Sequence, residues 1–260
     1  MKPGLGSYAC AWAISAGRMT ARQFVSRAAE LGVPVAQIAD NLPLENVSAP
    51  ELAALRRDGM EIELGARGIG RDYIRRYIDA CVALGSTLLR VVVDSDGDEP
   101  TPDEAAARIA GFVPDLESAG VTLAIENHER FGASQFARIV TSIGSPNVGI
   151  CLDTANSFGS LEGPEVVFRE LLPLTVNLHL KDFAIHRFAN NMGFQIVGTA
   201  AGEGRLDCAS LIRRLHSIRP AANVIVELWP PADADIESTI HTEELWARRS
   251  IEHIRPLIPA

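Results

Sequence analysis

The chain alternates between short, β-branched, apolar runs and longer stretches in which apolar positions recur every three or four residues. Runs of the first kind lie near 4–9, 34–40, 60–67, 87–94, 121–128, 148–154, 175–182 and 222–229. Two of them, Leu88-Leu89-Arg90-Val91-Val92-Val93 and Val121-Thr122-Leu123-Ala124-Ile125, are almost continuously apolar, as parallel strands covered on both faces are. Helical periodicity falls over 20–31, 49–57, 72–84, 102–119, 134–143 and 207–218. Thr20 and Thr101 read as N-caps, the second followed by Pro102 at the first helical position, and Gly32, Gly59, Gly85 and Gly120 read as helix stops. Eight such units in 260 residues predict an α/β fold, a single (β/α)8 TIM barrel spanning 1–260. A doubly wound sheet is the alternative, but no Gly-rich dinucleotide or P-loop fingerprint follows any strand. Gly202-Glu203-Gly204 lies in a loop without the strand–turn–helix context of a phosphate cradle.

One connection is longer than the rest. Residues 183–205 show no clear period yet carry Phe183, Phe188, Met192 and Phe194, so this stretch reads as a lid or substrate-binding loop following the seventh strand. Composition narrows the classes further. With 47% apolar and 22% charged residues the chain is an ordinary globular one. A net charge of −9 argues against a nucleic-acid partner, while leaving a small anionic substrate open. Cys10, Cys81, Cys151 and Cys208 are scattered, which points to reduced thiols rather than a disulfide framework or zinc knuckle. No signal peptide and no apolar run of membrane-spanning length is evident, so a soluble, cytoplasmic protein without a membrane partner is expected.

Four ligand-type residues end four apolar runs: Glu126 in Leu-Ala-Ile-Glu, Asp153 in Ile-Cys-Leu-Asp, His179 in Val-Asn-Leu-His and Glu227 in Val-Ile-Val-Glu. The C-terminal ends of barrel strands are where catalytic groups gather. Unpaired charges there are costly, so their convergence on the last four strands predicts a shared partner. Three carboxylates and one imidazole suit one divalent metal ion, Mn²⁺ or Mg²⁺ first, with Co²⁺ or Zn²⁺ admitted by the histidine. A metal-free salt-bridge cluster is the competing reading.

The segments around these residues carry a resemblance. Ala-Ile-Glu-Asn-His, Cys-Leu-Asp-Thr-Ala-Asn-Ser-Phe, Leu-His-Leu-Lys-Asp-Phe, Gly-Glu-Gly-Arg-Leu-Asp and Val-Glu-Leu-Trp are similar to the sugar phosphate isomerase/epimerase family, the xylose isomerase-like barrels. Gly-Leu-Gly-Ser-Tyr, Ala-Asp-Asn-Leu-Pro-Leu and Glu-Leu-Gly-Ala-Arg-Gly resemble a branch that includes decarboxylases of 3-oxo sugar acids such as 3-oxo-isoapionate. The resemblance implies that Glu126 and Glu227 bind metal and also move protons on opposite faces of the substrate. Where the family's epimerases and endonucleases have a histidine three residues after the metal-binding Asp, this chain has Asn156. That departure speaks against a multinuclear nuclease site and weakens the simple epimerase reading.

Strand alternation places Lys181 on the face of His179 and His128 on the face of Glu126. Lys181 is a candidate for polarising a substrate oxygen or pairing with a carboxylate, against a rim salt bridge with Asp182 or another acid, and His128 for contacting substrate or shuttling a proton, against a structural histidine. Arg90, inside an apolar strand, needs a partner: an ion pair inside the barrel, toward Glu63, is set slightly ahead of substrate contact. For Arg67 the order is reversed. Trp12, with Tyr8 and Trp229, can wall the sugar, and Arg187 in the long connection can clamp an anionic end. Asn156 joins the substrate-contact candidates. The expected activity is a metal-dependent isomerase or epimerase forming an enediolate from a small keto-sugar or keto sugar acid. A lyase decarboxylating a 3-oxo sugar acid, or eliminating from a 3-keto sugar, is the alternative, and a non-catalytic sugar-binding subunit comes third. A homodimer or homotetramer is compatible with all three.

Overall fold

The computed structural model describes residues 1–44 and 46–259. Eight parallel strands close into a barrel: β1 (Pro3–Gly6), β2 (Val35–Ile38), β3 (Glu61–Arg67), β4 (Leu88–Val92), β5 (Thr122–Glu126), β6 (Val148–Asp153), β7 (Thr175–Leu180) and β10 (Asn223–Val226). Strands β8 (Asp182–Arg187) and β9 (Phe194–Thr199) form a separate antiparallel hairpin between β7 and β10. The barrel predicted from hydrophobic alternation is therefore present, and the long connection has structure of its own.

A helix follows each barrel strand, and local sequence sets where it starts and stops. Thr20 caps Ala21–Glu30 through a reciprocal box with Gln23, and Thr101 caps Pro102–Ala110 in the same way with Glu104. The periodic stretch 102–119 divides into Pro102–Ala110 and Val113–Ala119, because Pro114 has no N–H to continue the first helix. The stretch 49–57 is helical only over Ala49–Ala53. Pro164–Leu171 and the long Ile236–Ile254 complete the ring. Apolar faces such as Phe24, Ile74, Tyr77, Phe136 and Leu211 pack onto the outside of the barrel, giving one continuous helix–sheet core. All four cysteines are buried and unpaired. Among the described residues no helix is long and apolar enough to cross a membrane.

The barrel interior is unusually polar. Gln37, Glu63, Arg90, Asn177, His179 and Asn223 are all under 8% exposed. A register shift between β6 and β7 leaves Val176 unopposed, so that Asn177 pairs with Cys151 and His179 with Asp153. That irregularity puts the two ligand-type side chains of neighbouring strands at one height.

Candidate metal centre

At the C-terminal mouth, Glu126, Asp153, His179 and Glu227 each offer one ligand atom, and these atoms lie within 4.8 Å of one another. All four residues are buried. His179 Nδ1 is the hub, 3.4 Å from Glu227 Oε2, 3.6 Å from Glu126 Oε1 and 3.9 Å from Asp153 Oδ2. Glu227 reaches the mouth past Gly6, where a Cβ would fall 2.8 Å from its Cγ. Asn127 holds the end of β6 in place: its Oδ1 accepts the Asp153 N–H at 2.7 Å and its Nδ2 donates to the Asp153 carbonyl.

The cations around the cluster are asymmetric. Arg90 Nε lies 2.8 Å from Glu126 Oε2, and its Nη1 donates to Asp40 Oδ1 at 2.7 Å. Asn156 Nδ2 donates to the other oxygen of Glu126 at 2.7 Å. Lys181 Nζ lies 2.9 Å from Asp153 Oδ2 and 3.0 Å from Glu227 Oε2. Burial opposes ionisation of Glu126, but Arg90, His179 and Lys181 overcome it and hold the carboxyl well below the usual carboxylate range. Against the same burial, His179 and Lys181 bring Glu227 down to about 2. The neighbouring cations thus favour the charged forms of Glu126 and Glu227.

These contacts do not saturate the cluster. Glu126 Oε2, Asp153 Oδ2, His179 Nδ1 and both oxygens of Glu227 are buried without a hydrogen bond of good geometry, although cations stand near some of them. A buried polar atom left so costs about 1–3 kcal/mol. One ligand atom from each of the four residues gathers within 4.8 Å, which fits a cation-sized partner, and the donor set suits a divalent ion. Among the described residues this is the one group of its kind.

Other expected residues are placed as follows. Arg90 is an ion-pair residue, but its partners are Asp40 and Glu126 rather than Glu63, since it lies beside Gly65 in the register and extends toward the mouth. Arg67 is partly exposed and bonds Asp40 Oδ2 at 3.2 Å, one ion pair removed from the cluster. Tyr8 donates its hydroxyl to the same Asp40 oxygen at 2.9 Å, so Asp40 joins three strands' worth of side chains. His128 stands half-buried on the rim against Glu129. Trp12 is tied to Pro230 O through its indole N–H at 2.9 Å. Trp229, with Lys181, Asn156, Phe158 and Ile196, lines a cavity of about 470 Å³ beside the cluster.

The connection 183–205 is a hairpin, not the aperiodic loop expected. Phe183 stacks edge-on against Phe158 with ring centroids 4.7 Å apart, and Ile196 borders the cavity. Its base is anchored by Asp182, whose Oδ1 accepts the N–H groups of Phe183 and Leu206 while Oδ2 accepts those of Gly202 and Gly204. The Gly-Glu-Gly amides therefore serve a side chain of the protein, and a Cβ at Gly204 would overlap that carboxylate. Arg187 is exposed near the hairpin tip, opposite Phe194, and donates to Asn191 O. It stands five residues beyond Asp182, roughly 17 Å along the strand, and no contact links it to the cluster among the described residues. Gln37, Asp40 and Asn127 have no role in the sequence reading, and Asp182, offered there as an ion-pair partner of Lys181, holds backbone amides while Lys181 pairs with Asp153 and Glu227. Asp40 follows an apolar run as the metal-type residues do, whereas Gln37 and Asn127 give no such signal.

A curated relative, the 3-oxo-isoapionate decarboxylase of Pectobacterium atrosepticum, is 34% identical over 261 residues, covering 98% of this chain and 95% of that protein. Among solved structures, D-psicose 3-epimerase with D-tagatose from Clostridium cellulolyticum H10 superposes with a TM-score of 0.75 at 16% identity, covering 100% of both chains. The IOLI protein with a binding zinc atom gives 0.70 at 17% identity, covering 99% of this chain and 98% of that one. At those identities the structures speak to the fold. Residues 14–257 match the family model itself, and the chain belongs to the xylose isomerase-like TIM barrel family.

Proposed function

We propose that the protein is a divalent-metal-dependent lyase that decarboxylates a small 3-oxo sugar acid, in preference to the isomerase or epimerase reading that ranked first from sequence. The observation that carries this is the tethering of Glu126. An epimerase needs two mobile proton carriers on opposite faces of the substrate. Glu126 has one oxygen against Arg90 and the other on the Asn156 amide, and is pulled well below the normal carboxylate range. A carboxylate so held is a poor base. The decarboxylase relative at 34% identity over nearly the whole chain supports the same choice.

In a 3-oxo acid the bond between the carboxylate carbon and C2 breaks, and its electron pair moves through C2–C3 onto the ketone oxygen, giving an enolate or, with a hydroxyl at C2, an enediolate. A cation held by Glu126, Asp153, His179 and Glu227 would stabilise that developing negative charge, Mn²⁺ or Mg²⁺ being favoured. Lys181, a cation shared by the cluster and the cavity, donates the proton that replaces CO₂ at C2 and is recharged from water. Arg67 holds the substrate carboxylate, with Trp12 and His128 bordering the sugar. Arg187 at the hairpin tip serves an anionic end only if the hairpin folds inward on binding.

Protein loaded with Mn²⁺ and given 3-oxo sugar acids in deuterated water is expected to release CO₂ and to take up one deuteron at the carbon that was C2 of the substrate. The Glu227→Gln variant is expected to fold and to lose turnover. Exchange of substrate hydrogen with deuterated water, without CO₂, would replace this reading with the isomerase one.

A further inference from the structure

Beneath the metal-type cluster lies a second polar layer whose hydrogen bonds have a single consistent direction. Glu63 is buried among three amides: its Oε2 accepts from Gln37 Nε2 at 2.9 Å and Asn177 Nδ2 at 3.0 Å, and its Oε1 accepts from Asn223 Nδ2 at 2.7 Å. Gln37 Nε2 also donates to Asn177 Oδ1 at 3.1 Å. Both N–H bonds of the Gln37 amide are thereby committed downward, and only its Oε1 is left to face upward. That oxygen stands 2.6 Å from His179 Nε2.

The Gln37 oxygen settles the Nε2 side of the ring in either charge state of His179. An amide oxygen accepts and does not donate, so His179 must carry a proton on Nε2. Its Nδ1, buried and without a hydrogen-bond partner, is then the nitrogen left facing the point where Glu126, Asp153 and Glu227 converge, and it offers a lone pair there once an incoming cation displaces its proton. A flipped Gln37 would turn an NH₂ toward His179 and its oxygen against the Glu63 carboxylate, losing two hydrogen bonds and adding a repulsion.

We infer that Gln37, oriented by Glu63, is a positioning residue that fixes the Nε2–H form of His179 and aims Nδ1 at the cation. The inference rests on the metal-dependent reading above. Partners of this kind typically contribute 10- to 100-fold to metal affinity.

Titration calorimetry with Mn²⁺ alone, on the parent and on variants of unchanged circular dichroism, tests it. Gln37→Leu is expected to weaken binding by about 10- to 100-fold. Glu63→Gln should give a smaller loss, since Gln37 is then free to flip. Combining Glu63→Gln with Gln37→Glu restores an acceptor facing His179 and a donor below it, and should recover part of the affinity lost on Glu63→Gln. Nitrogen-15 spectra of the Zn²⁺-loaded parent should show His179 ligating through Nδ1 with a proton on Nε2. Mn²⁺ binding by Gln37→Leu as tight as the parent's, or ligation through Nε2, overturns the inference. No Mn²⁺ binding by the parent would instead remove the metal reading on which it stands.

Discussion

Two glutamates inside the same barrel, Glu63 and Glu126, are buried almost equally, at 1% and 2% exposure, yet the fold treats them in opposite ways. Glu63 is surrounded by neutral amides, every acceptor is used, and burial pushes its carboxyl up despite those donors. Glu126, higher in the barrel, faces Arg90 and an imidazole, is driven down, and still has an oxygen without a well-formed hydrogen bond. The lower glutamate closes a network; the upper one leaves it open. The difference locates where the protein keeps unsatisfied polarity for a ligand and where it uses polarity to hold side chains in place.

The sharpest way to break the contrast is to strip Glu126 of its cation. Arg90→Met leaves a buried carboxylate uncompensated, at a cost of about 3–5 kcal/mol and a Tm lowered on the order of 10 °C, read by calorimetry in chelator. Mn²⁺ should restore part of this, because the ion supplies the missing positive charge. A variant as stable as the parent would mean that the pair contributes nothing.

Lys181 tests the open end more gently. Its ammonium sits on two carboxylates that the cation needs. Lys181→Met is expected to bind Mn²⁺ about tenfold more tightly, about 1.4 kcal/mol, while losing decarboxylation. Weaker Mn²⁺ binding would show that Lys181 supports the cation rather than competing with it.

The smallest effect is in the pH dependence of urea unfolding, measured in chelator. Glu126 and Glu227 have depressed folded values, about 2 for Glu227, so their stabilisation is present above the ordinary carboxylate range and lost as pH falls toward 2. Glu63 is raised, so its contribution is fully present below its ordinary value of about 4.3 and is lost as pH rises through its folded value. Glu63→Gln lacks that loss. Its stability relative to the parent should therefore improve as pH rises from 4 to 8. A constant difference across this range would contradict the raised value.

The barrel was legible because each strand is an apolar run and each helix a periodic one, and the four mouth residues because each ends such a run. Strand stagger was not legible. Sequence gives alternation along one strand but not the height at which neighbours meet, so Arg90 was matched with Glu63 instead of Asp40 and Glu126. Gln37, Asn177 and Asn223 are individually unremarkable amides in strands, and the direction of their hydrogen bonds exists only once four strands are brought together. The hairpin was missed because Phe188, Met192 and Phe194 lie exposed, so burial did not print a clear period on 183–205.

The four amides collected by Asp182 have a consequence for how such a barrel diversifies. A single side chain joins the start of the hairpin to its return, which lets the segment between them be lengthened, shortened or exchanged without re-forming the eight-stranded closure. The strands thus carry the buried polar cluster while Ile196 of the hairpin borders the cavity beside it, so exchanging the hairpin is expected to alter that cavity and leave the cluster in place.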